Sequence, residues 1–339
     1  MIDLIQINEY SKTPKYQQIV NSVVAGLEQG KIKVDEKLPS VNQMLIEFDI
    51  SRDTVVRAYD LLKEMGIITS VPGKGYYLQS TNFKQKARVF LLFNKLSAHK
   101  KLIYDAFSTT LGEEAAIDFF IYHNSFRLFK QLVLDHKDQP YTHFVIIPHF
   151  LEGGYYAEEI IQQISPEKLI ILDKLIEGVP EECAAVYQDF AEDIFIALKE
   201  AKKLLSKYQK LRLIFPPYSY HPIEILDGFE KFCAEYAFGY DVIKDIGVAE
   251  LKKGDVYINL MEDDLVTLIK RIKLQGWTAG KDVGIISYNE TPLKEILMDG
   301  ITVISTDFAK LGETAARLIL ENKKERIAND FRLVLRRSL

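Results

Sequence analysis

From residue 88 to the C-terminus, short apolar runs alternate with amphipathic stretches almost without a break, and few architectures accept that order. The apolar runs fall at 88–93, 117–122, 144–147, 169–172, 185–187, 211–215, 241–244, 256–260, 283–287, 302–304 and 331–335. Helical periodicity fills 99–111, 126–135, 155–164, 189–208, 223–238, 263–275 and 308–321. Runs that are apolar throughout belong to strands covered on both faces, and the intervening helices supply the covers. The pattern predicts parallel sheets flanked by helices. Its length of about 250 residues fits either one large sheet or two similar lobes.

The first eighty residues read differently. Tyr16, Ile19, Val20, Val23, Val24 and Leu27 recur with helical spacing over 14–28, with Pro14 at the start and Gly30 beyond the end. Ser40 and Gln43 have the spacing of a capping box and open a short second helix. Ser51 is placed to cap a third, whose inward stripe is Val55, Ala58, Tyr59 and Leu62; Gly66 stops it. Two β-prone runs, 67–71 and 76–79, flank Pro72-Gly73-Lys74-Gly75, a hairpin with a cationic tip. Helix, short helix, turn, helix and hairpin make a winged helix-turn-helix. The expected organisation is therefore a small domain over 1–80, a polar linker over 81–87 and an α/β domain over 88–339.

Composition narrows the function classes. Of 339 residues, 47% are apolar and 27% charged, which excludes a disordered, collagen-like or disulfide-framework chain. No apolar run approaches the roughly 18 residues of a membrane span. The start, Met1-Ile2-Asp3-Leu4-Ile5, has no basic segment ahead of an apolar one, so no signal peptide and a cytoplasmic location are expected. Cys183 and Cys233 lack CxxC partners and read as buried free thiols. The histidines show neither HxxxH nor HExxH spacing, so no metal or other cofactor is expected. Net charge is −5, and residues 1–80 hold nine Lys and Arg against ten Asp and Glu. Any recognition of DNA must then rest on local charge rather than a bulk basic patch.

The segments Leu38-Pro39-Ser40, Ile50-Ser51-Arg52-Asp53-Thr54-Val55-Val56-Arg57-Ala58-Tyr59, Gly66-Ile67-Ile68 and Gly73-Lys74-Gly75 resemble, in order and spacing, the GntR-type winged helix. The resemblance covers roughly 10–79. It implies that the third helix enters the major groove and the wing lies against the minor groove. By that resemblance Ser51, Arg52 and Thr54 meet phosphates and base edges, with Lys74 and Gly75 at the wing. Arg52 can pair bidentately with guanine, and Ser40 and Ser51 place helix N-termini where phosphates dock. Asn42, Asp53 and Arg57 complete the candidate DNA-contacting set. Asn42 and Val56 stand where relatives often carry arginine, which implies a shallower salt dependence or altered base preference. Asp53 and Arg57 also have the spacing of an ordinary surface pair.

The α/β part resembles the LacI-type and periplasmic sugar-binding fold, most clearly in Asp282-Val283-Gly284-Ile285-Ile286-Ser287-Tyr288-Asn289 and in Thr302-Val303-Ile304-Ser305-Thr306-Asp307. Winged helix plus this fold is the arrangement of arabinose-type repressors. The resemblance implies two lobes with a ligand between them, at the carboxyl ends of parallel strands. Polar residues there are Ser97, His99, Asn124 and His149 in the first half, then Asp173, Lys174 and Asp189. Tyr220, His221, Glu262 and Asn289 follow in the second half. Carboxylates and amides suit vicinal hydroxyls, and aromatic faces suit the C–H surface of a sugar. By resemblance Asn289, Glu262 and Asp189 occupy ligand positions, whereas Ile225 replaces an arginine usual in the family. A polar residue at a strand end also serves commonly as a cap or turn-former.

These readings converge on a DNA-binding transcriptional regulator, a repressor, that acts as a homodimer on operator DNA under control of a monosaccharide such as L-arabinose or L-fucose. A phosphorylated sugar or organic acid is the alternative effector. An α/β enzyme with a fused winged helix competes, but GxSxG, GxxxxGK[ST] and a GxGxxG after a strand are all missing from the sequence.

Overall fold

A computed structural model describes every residue except 9–13, 29, 80–86, 113 and 114. The expected linker at 81–87 lies outside the described residues apart from Ala87. Two compact units form. One comprises Met1–Phe90 with Gly112–Asp118 and Gln131–His143; the other comprises Leu91–Leu111, Phe119–Lys130 and Phe144–Leu339.

The first unit contains the winged helix-turn-helix: α1 (Lys15–Glu28), α2 (Val41–Phe48), α3 (Arg52–Glu64) and the hairpin β1 (Ile68–Val71) and β2 (Gly75–Leu78). Its core is the stripe read from periodicity. Ile19, Val23, Met44, Val55, Ala58, Tyr59 and Leu62 are all essentially inaccessible. Burying each large apolar side chain contributes about 1.5–3 kcal/mol against leaving it in water.

Two six-stranded sheets follow, formed by β3 (Ala87–Phe93), β4 (Ala115–Ile121), β5 (His143–Ile146), β6 (Leu169–Asp173), β7 (Ala184–Tyr187), β8 (Lys210–Ile214), β9 (Gly239–Ile243), β10 (Asp255–Asn259), β11 (Gly284–Tyr288), β12 (Thr302–Thr306), β13 (Arg326–Ala328) and β14 (Phe331–Val334). The covering helices are α4 (Ala98–Leu111), α5 (Phe126–His136), α6 (Ala157–Ile161), α7 (Phe190–Leu205), α8 (Glu224–Glu235), α9 (Glu262–Leu274), α10 (Pro292–Ile296) and α11 (Phe308–Leu320). The first sheet runs β13-β7-β6-β5-β3-β4 and the second β14-β12-β11-β10-β8-β9. The choice between one large sheet and two lobes is thereby settled as two.

The chain passes between the sheets three times: after β7, after β12, and between β13 and β14. Close backbone approach fixes the covering helices. A Cβ on Gly312 of α11 would lie 2.2 Å from the Ile103 carbonyl oxygen of α4, and one on Gly228 of α8 would lie 2.1 Å from the Ala191 carbonyl oxygen of α7. Only glycine permits either contact.

Three expectations change. β14 pairs antiparallel with β12, because the chain runs on from β13, which is parallel to β7, through Asn329 and Asp330 and enters the second sheet at the carboxyl end of its parallel strands. β13 was not anticipated; it has three residues, of which Arg326 and Ala328 are exposed. The helix expected over 155–164 is a 3₁₀ turn at Gly154–Tyr156 followed by the short α6, with Gly153 at φ +74° before it and Pro166 after it.

Candidate functional site

A cleft with about 720 Å³ of empty space, part of it open to solvent, lies in the second unit between the carboxyl ends of both sheets. Asn94 and Lys95 follow β3, His149 follows β5, Asp173 ends β6 and Gln188 follows β7. From the other sheet come Tyr220 and His221 after β8, Glu262 at the start of α9, and Tyr288 and Asn289 at the end of β11. Phe190, Leu260 and Phe308 supply apolar wall. Open parallel sheets bind ligands at this end because strand-to-helix loops diverge there.

Asp173 organises the first sheet's side. It is buried, with φ +75°, and its Oδ2 accepts from Lys100 Nζ at 2.5 Å and from His149 Nε2 at 3.0 Å. Its Oδ1 accepts from Gln188 Nε2. Burial alone would raise this carboxyl's pKa, but the Lys100 charge and the His149 hydrogen bond outweigh it and hold the group well below the usual carboxylate range. Burial lowers the pKa of His149 against the pull of Asp173, and lowers that of His221 to about 4, aided by the Lys95 charge. The His221 ring is therefore neutral at pH 7, and burial biases His149 the same way.

On the second sheet's side Lys294, almost fully buried, donates to the Tyr288 and Asn289 carbonyl oxygens at 3.0 and 2.6 Å and pairs with Glu262 at 3.2 Å. It pins the end of β11 and one acidic wall together. His99 Nε2 lies 3.0 Å from the Glu290 carbonyl oxygen, and its ring rests against Phe308 at 4.6 Å. Asn94 Oδ1, Gln188 Oε1, His221 Nε2, Tyr288 Oη and Asn289 Oδ1 are buried and have no protein partner. Each such group costs about 1–3 kcal/mol until something pairs with it. So many at one cavity mark a site for a polar ligand.

The helix-turn-helix is built on the opposite plan. The Ser40 capping box is complete, with Gln43 N donating to Ser40 Oγ at 3.2 Å and Ser40 N donating to Gln43 Oε1 at 2.8 Å. Ser51 Oγ caps α3 through Thr54 N and also meets Thr54 Oγ1 at 2.8 Å. Tyr59 Oη donates to the Pro39 carbonyl oxygen at 2.6 Å and so holds the entry to α2. Asn42, Arg52, Asp53 and Lys74 are exposed. Arg57 is exposed too, but its guanidinium lies over the Tyr16 ring of α1 at 4.1 Å. Gly75, at φ +112°, lets Lys37 approach the wing: a Cβ there would sit 3.2 Å from Lys37 Cε. Lys37 was not among the expected contacts, because its backbone reaches the hairpin only through a bridge to Tyr77.

Residues 15–78 match the family model described as bacterial regulatory proteins, gntR family. The transcriptional repressor YtrA of Bacillus subtilis is 33% identical over 107 residues, which are 30% of this chain and 78% of that protein. The chain belongs to the GntR family of bacterial regulatory proteins. Other relatives of this GntR-family regulator match it over about a quarter of its length. The chain spans 34% of the length of YydK from Bacillus subtilis, at 30% identity over 81 residues. It spans 20% of the arabinose metabolism transcriptional repressor of Geobacillus stearothermophilus, at 29% identity over 73 residues and 22% of this chain.

Among solved structures, the Lac repressor bound to ONPG superposes with a TM-score of 0.61 at 14% identity, covering 88% of this chain and 95% of that one. The periplasmic binding protein/LacI transcriptional regulator of Alkaliphilus metalliredigens, complexed with D-xylulofuranose, gives 0.57 at 12% identity, covering 74% and 98%. The GntR-type helix-turn-helix is thus joined to a LacI-like pair of parallel-sheet lobes. No helix among the described residues is long and apolar enough to cross a membrane.

In this GntR-family chain the cavity gathers Ser97, His99, His149, Asp173, Tyr220, His221, Glu262 and Asn289. Three expected residues lie elsewhere. Asn124 accepts from Asn94 Nδ2 through its Oδ1 at 2.7 Å, behind the lining. Lys174 pairs with Glu224 at 3.4 Å in an adjoining cleft. Asp189 caps α7, accepting from Glu192 N at 3.2 Å. The candidate set lacked Lys100 and Lys294, which come from helices, and Gln188 and Tyr288. Lys100 carried a signal: it shares the buried stripe of α4 with Ile103, Phe107 and Leu111. A lysine at a core position requires a buried partner.

Proposed function

We propose that this regulator is a transcriptional repressor whose operator affinity is set by a monosaccharide-type effector bound in the cavity. The DNA-binding module is residues 1–80 and the effector domain residues 88–339. The single observation that carries the effector reading is the set of five buried, unpartnered polar groups framed by Tyr220, Phe190 and Phe308. Hydroxyls satisfy the first and the C–H face of a sugar packs on the second. A compound of the size of L-arabinose or L-fucose suits the space.

On the DNA side, Arg52 reads base edges while Ser51, Thr54 and Asn42 lie along the phosphates beside it and Lys74 reaches from the wing. Two protomers place two recognition helices about one helical turn, roughly 34 Å, apart on a palindromic operator. Effector and operator then weaken each other reciprocally if each favours a different arrangement of the lobes. A regulatory rather than enzymatic role is supported by the regulators the chain is similar to.

The test is a thermal-shift screen with monosaccharides and their derivatives, repeated in the presence of an operator fragment. A stabilising compound that lowers operator affinity supports the reading. A compound that stabilises the protein by several degrees yet leaves operator affinity unchanged defeats it. One observation favours the anionic alternative: Lys95, at the cavity wall, has no carboxylate within ion-pair distance among the described residues.

A further inference from the structure

The open hydrogen-bonding capacity of the cavity is lopsided. Gln188 Nε2 donates to the Asp173 carboxylate and Asn94 Nδ2 to Asn124 Oδ1, while the side-chain oxygens of both amides are buried without a partner. The His221 ring is hydrogen-bonded to the Leu260 backbone, and its Nε2 is open. A neutral imidazole that donates through one nitrogen offers a lone pair at the other. Asn289 Oδ1 adds a fourth acceptor, and the Tyr288 hydroxyl can play either part. A ligand for this wall must donate hydrogen bonds. Alcohol hydroxyls do so; a bare carboxylate or phosphate cannot.

The charges are lopsided in the other direction. Lys100 is neutralised by Asp173, and Glu262 by Lys294. Lys95 remains without an anionic partner among the described residues and lies over the Tyr220 ring, 3.4 Å from its centroid. Burial and the nearby Lys100 charge both lower its pKa, as they do for a cation that lacks a partner. The lining therefore carries one uncompensated positive charge beside several acceptors that need donors.

Resting on the effector reading above, we propose that the effector is a sugar acid, whose hydroxyls donate to Asn94, Gln188, His221 and Asn289 and whose one carboxylate pairs with Lys95. A single carboxylate balances the single cation. A phosphate monoester brings about 1.5–2 negative charges and leaves an excess facing Asp173 and Glu262. A neutral sugar meets the acceptors but leaves the half-buried Lys95 uncompensated, a costly arrangement.

Calorimetry on the full-length protein with matched sets tests this: D-galacturonate, D-galactose and D-galactose 6-phosphate; D-gluconate, D-glucose and D-glucose 6-phosphate; L-arabinonate and L-arabinose. At least one acid binds about tenfold or more tightly than its neutral and phosphorylated counterparts. Lys95→Met removes that preference, weakening the acid about tenfold or more and relieving the cost to the neutral sugar, whereas Lys95→Arg keeps it. A neutral sugar or sugar phosphate that outbinds its acid, or a preference that survives Lys95→Met in a protein with unchanged Tm, overturns the sugar-acid assignment and leaves the sugar-effector reading standing. If no compound of any set binds, both fall.

Discussion

The two recognition surfaces of this protein treat polar groups in opposite ways. Around α2 and α3 the capping hydroxyls are engaged locally, Ser40 with Gln43 and Ser51 with Thr54, while Arg52 and Lys74 extend into solvent. In the cavity, amides, an imidazole and a phenol are buried and open. Water serves the exposed face whenever DNA is absent, so that face adds little to the cost of the free protein. The cavity's open groups are met only by what enters it, water or ligand. It follows that ligand binding and stability are tightly linked in the effector region, and operator binding and stability only loosely so.

The largest effect on stability belongs to the cavity. Asp173→Ala leaves Lys100 buried without a counter-charge and lowers unfolding free energy by about 3–5 kcal/mol in denaturant titration. Lys100→Met combined with Asp173→Asn costs much less than Asp173→Ala, since a neutral pair of similar volume leaves no buried charge unpaired. If Asp173→Ala is silent, the contrast between the two surfaces collapses.

The second effect is a pH slope. His221, with its pKa lowered to about 4, binds fewer protons folded than unfolded, so its share of stability is lost as pH falls from about 6.5 to about 4, and His149, also lowered by burial, acts in the same direction. Asp193, raised to about 7 mainly by burial and then by Asp189 and Glu192, works the other way: its share is present at low pH and lost as pH rises towards 7. The two trends partly cancel. Asp193→Asn therefore steepens the loss of stability in mild acid, while His221→Gln flattens it. Melting curves between pH 4.5 and 7 separate the two.

The smaller effects lie on the helix-turn-helix. Tyr59→Phe removes the hydrogen bond to Pro39 and costs about 1 kcal/mol, read by denaturation. Arg52→Ala changes stability by no more than about 0.5 kcal/mol. It nevertheless weakens binding to a cognate operator by about 1–3 kcal/mol in a titration at fixed salt. An Arg52→Ala protein that unfolds early would blur the distinction; one that still binds the operator fully would remove arginine from the reading face.

Most of the architecture was legible because two periodicities carry it. The apolar runs that became β3, β6, β8, β10 and β11 needed no tertiary information, and Ser40, Gln43 and Ser51 announced their helices by type and spacing. β13 was invisible because three half-exposed residues have no pattern of their own; only the edge of β7 makes them a strand. The cavity was half legible. Strand ends pointed to Asp173, His149 and Asn289, since loops there have little else to face. Lys100 and Lys294 escaped because helical periodicity states which face is inward but not what lies across from it. Tyr288 escaped because a strand residue counted as apolar hides its hydroxyl.

β13 closes the edge of β7 by pairing Arg326 with Ala185 and Ala328 with Tyr187. The strand that completes the first sheet thus leaves the ribosome long after its neighbour. Throughout that interval the outer backbone groups of β7 are unprotected in the nascent chain, open to any passing extended segment. A chain assembled in this order leaves that edge open for longer if translation pauses between residues 187 and 326, and a message cut short before residue 326 leaves it without its covering strand.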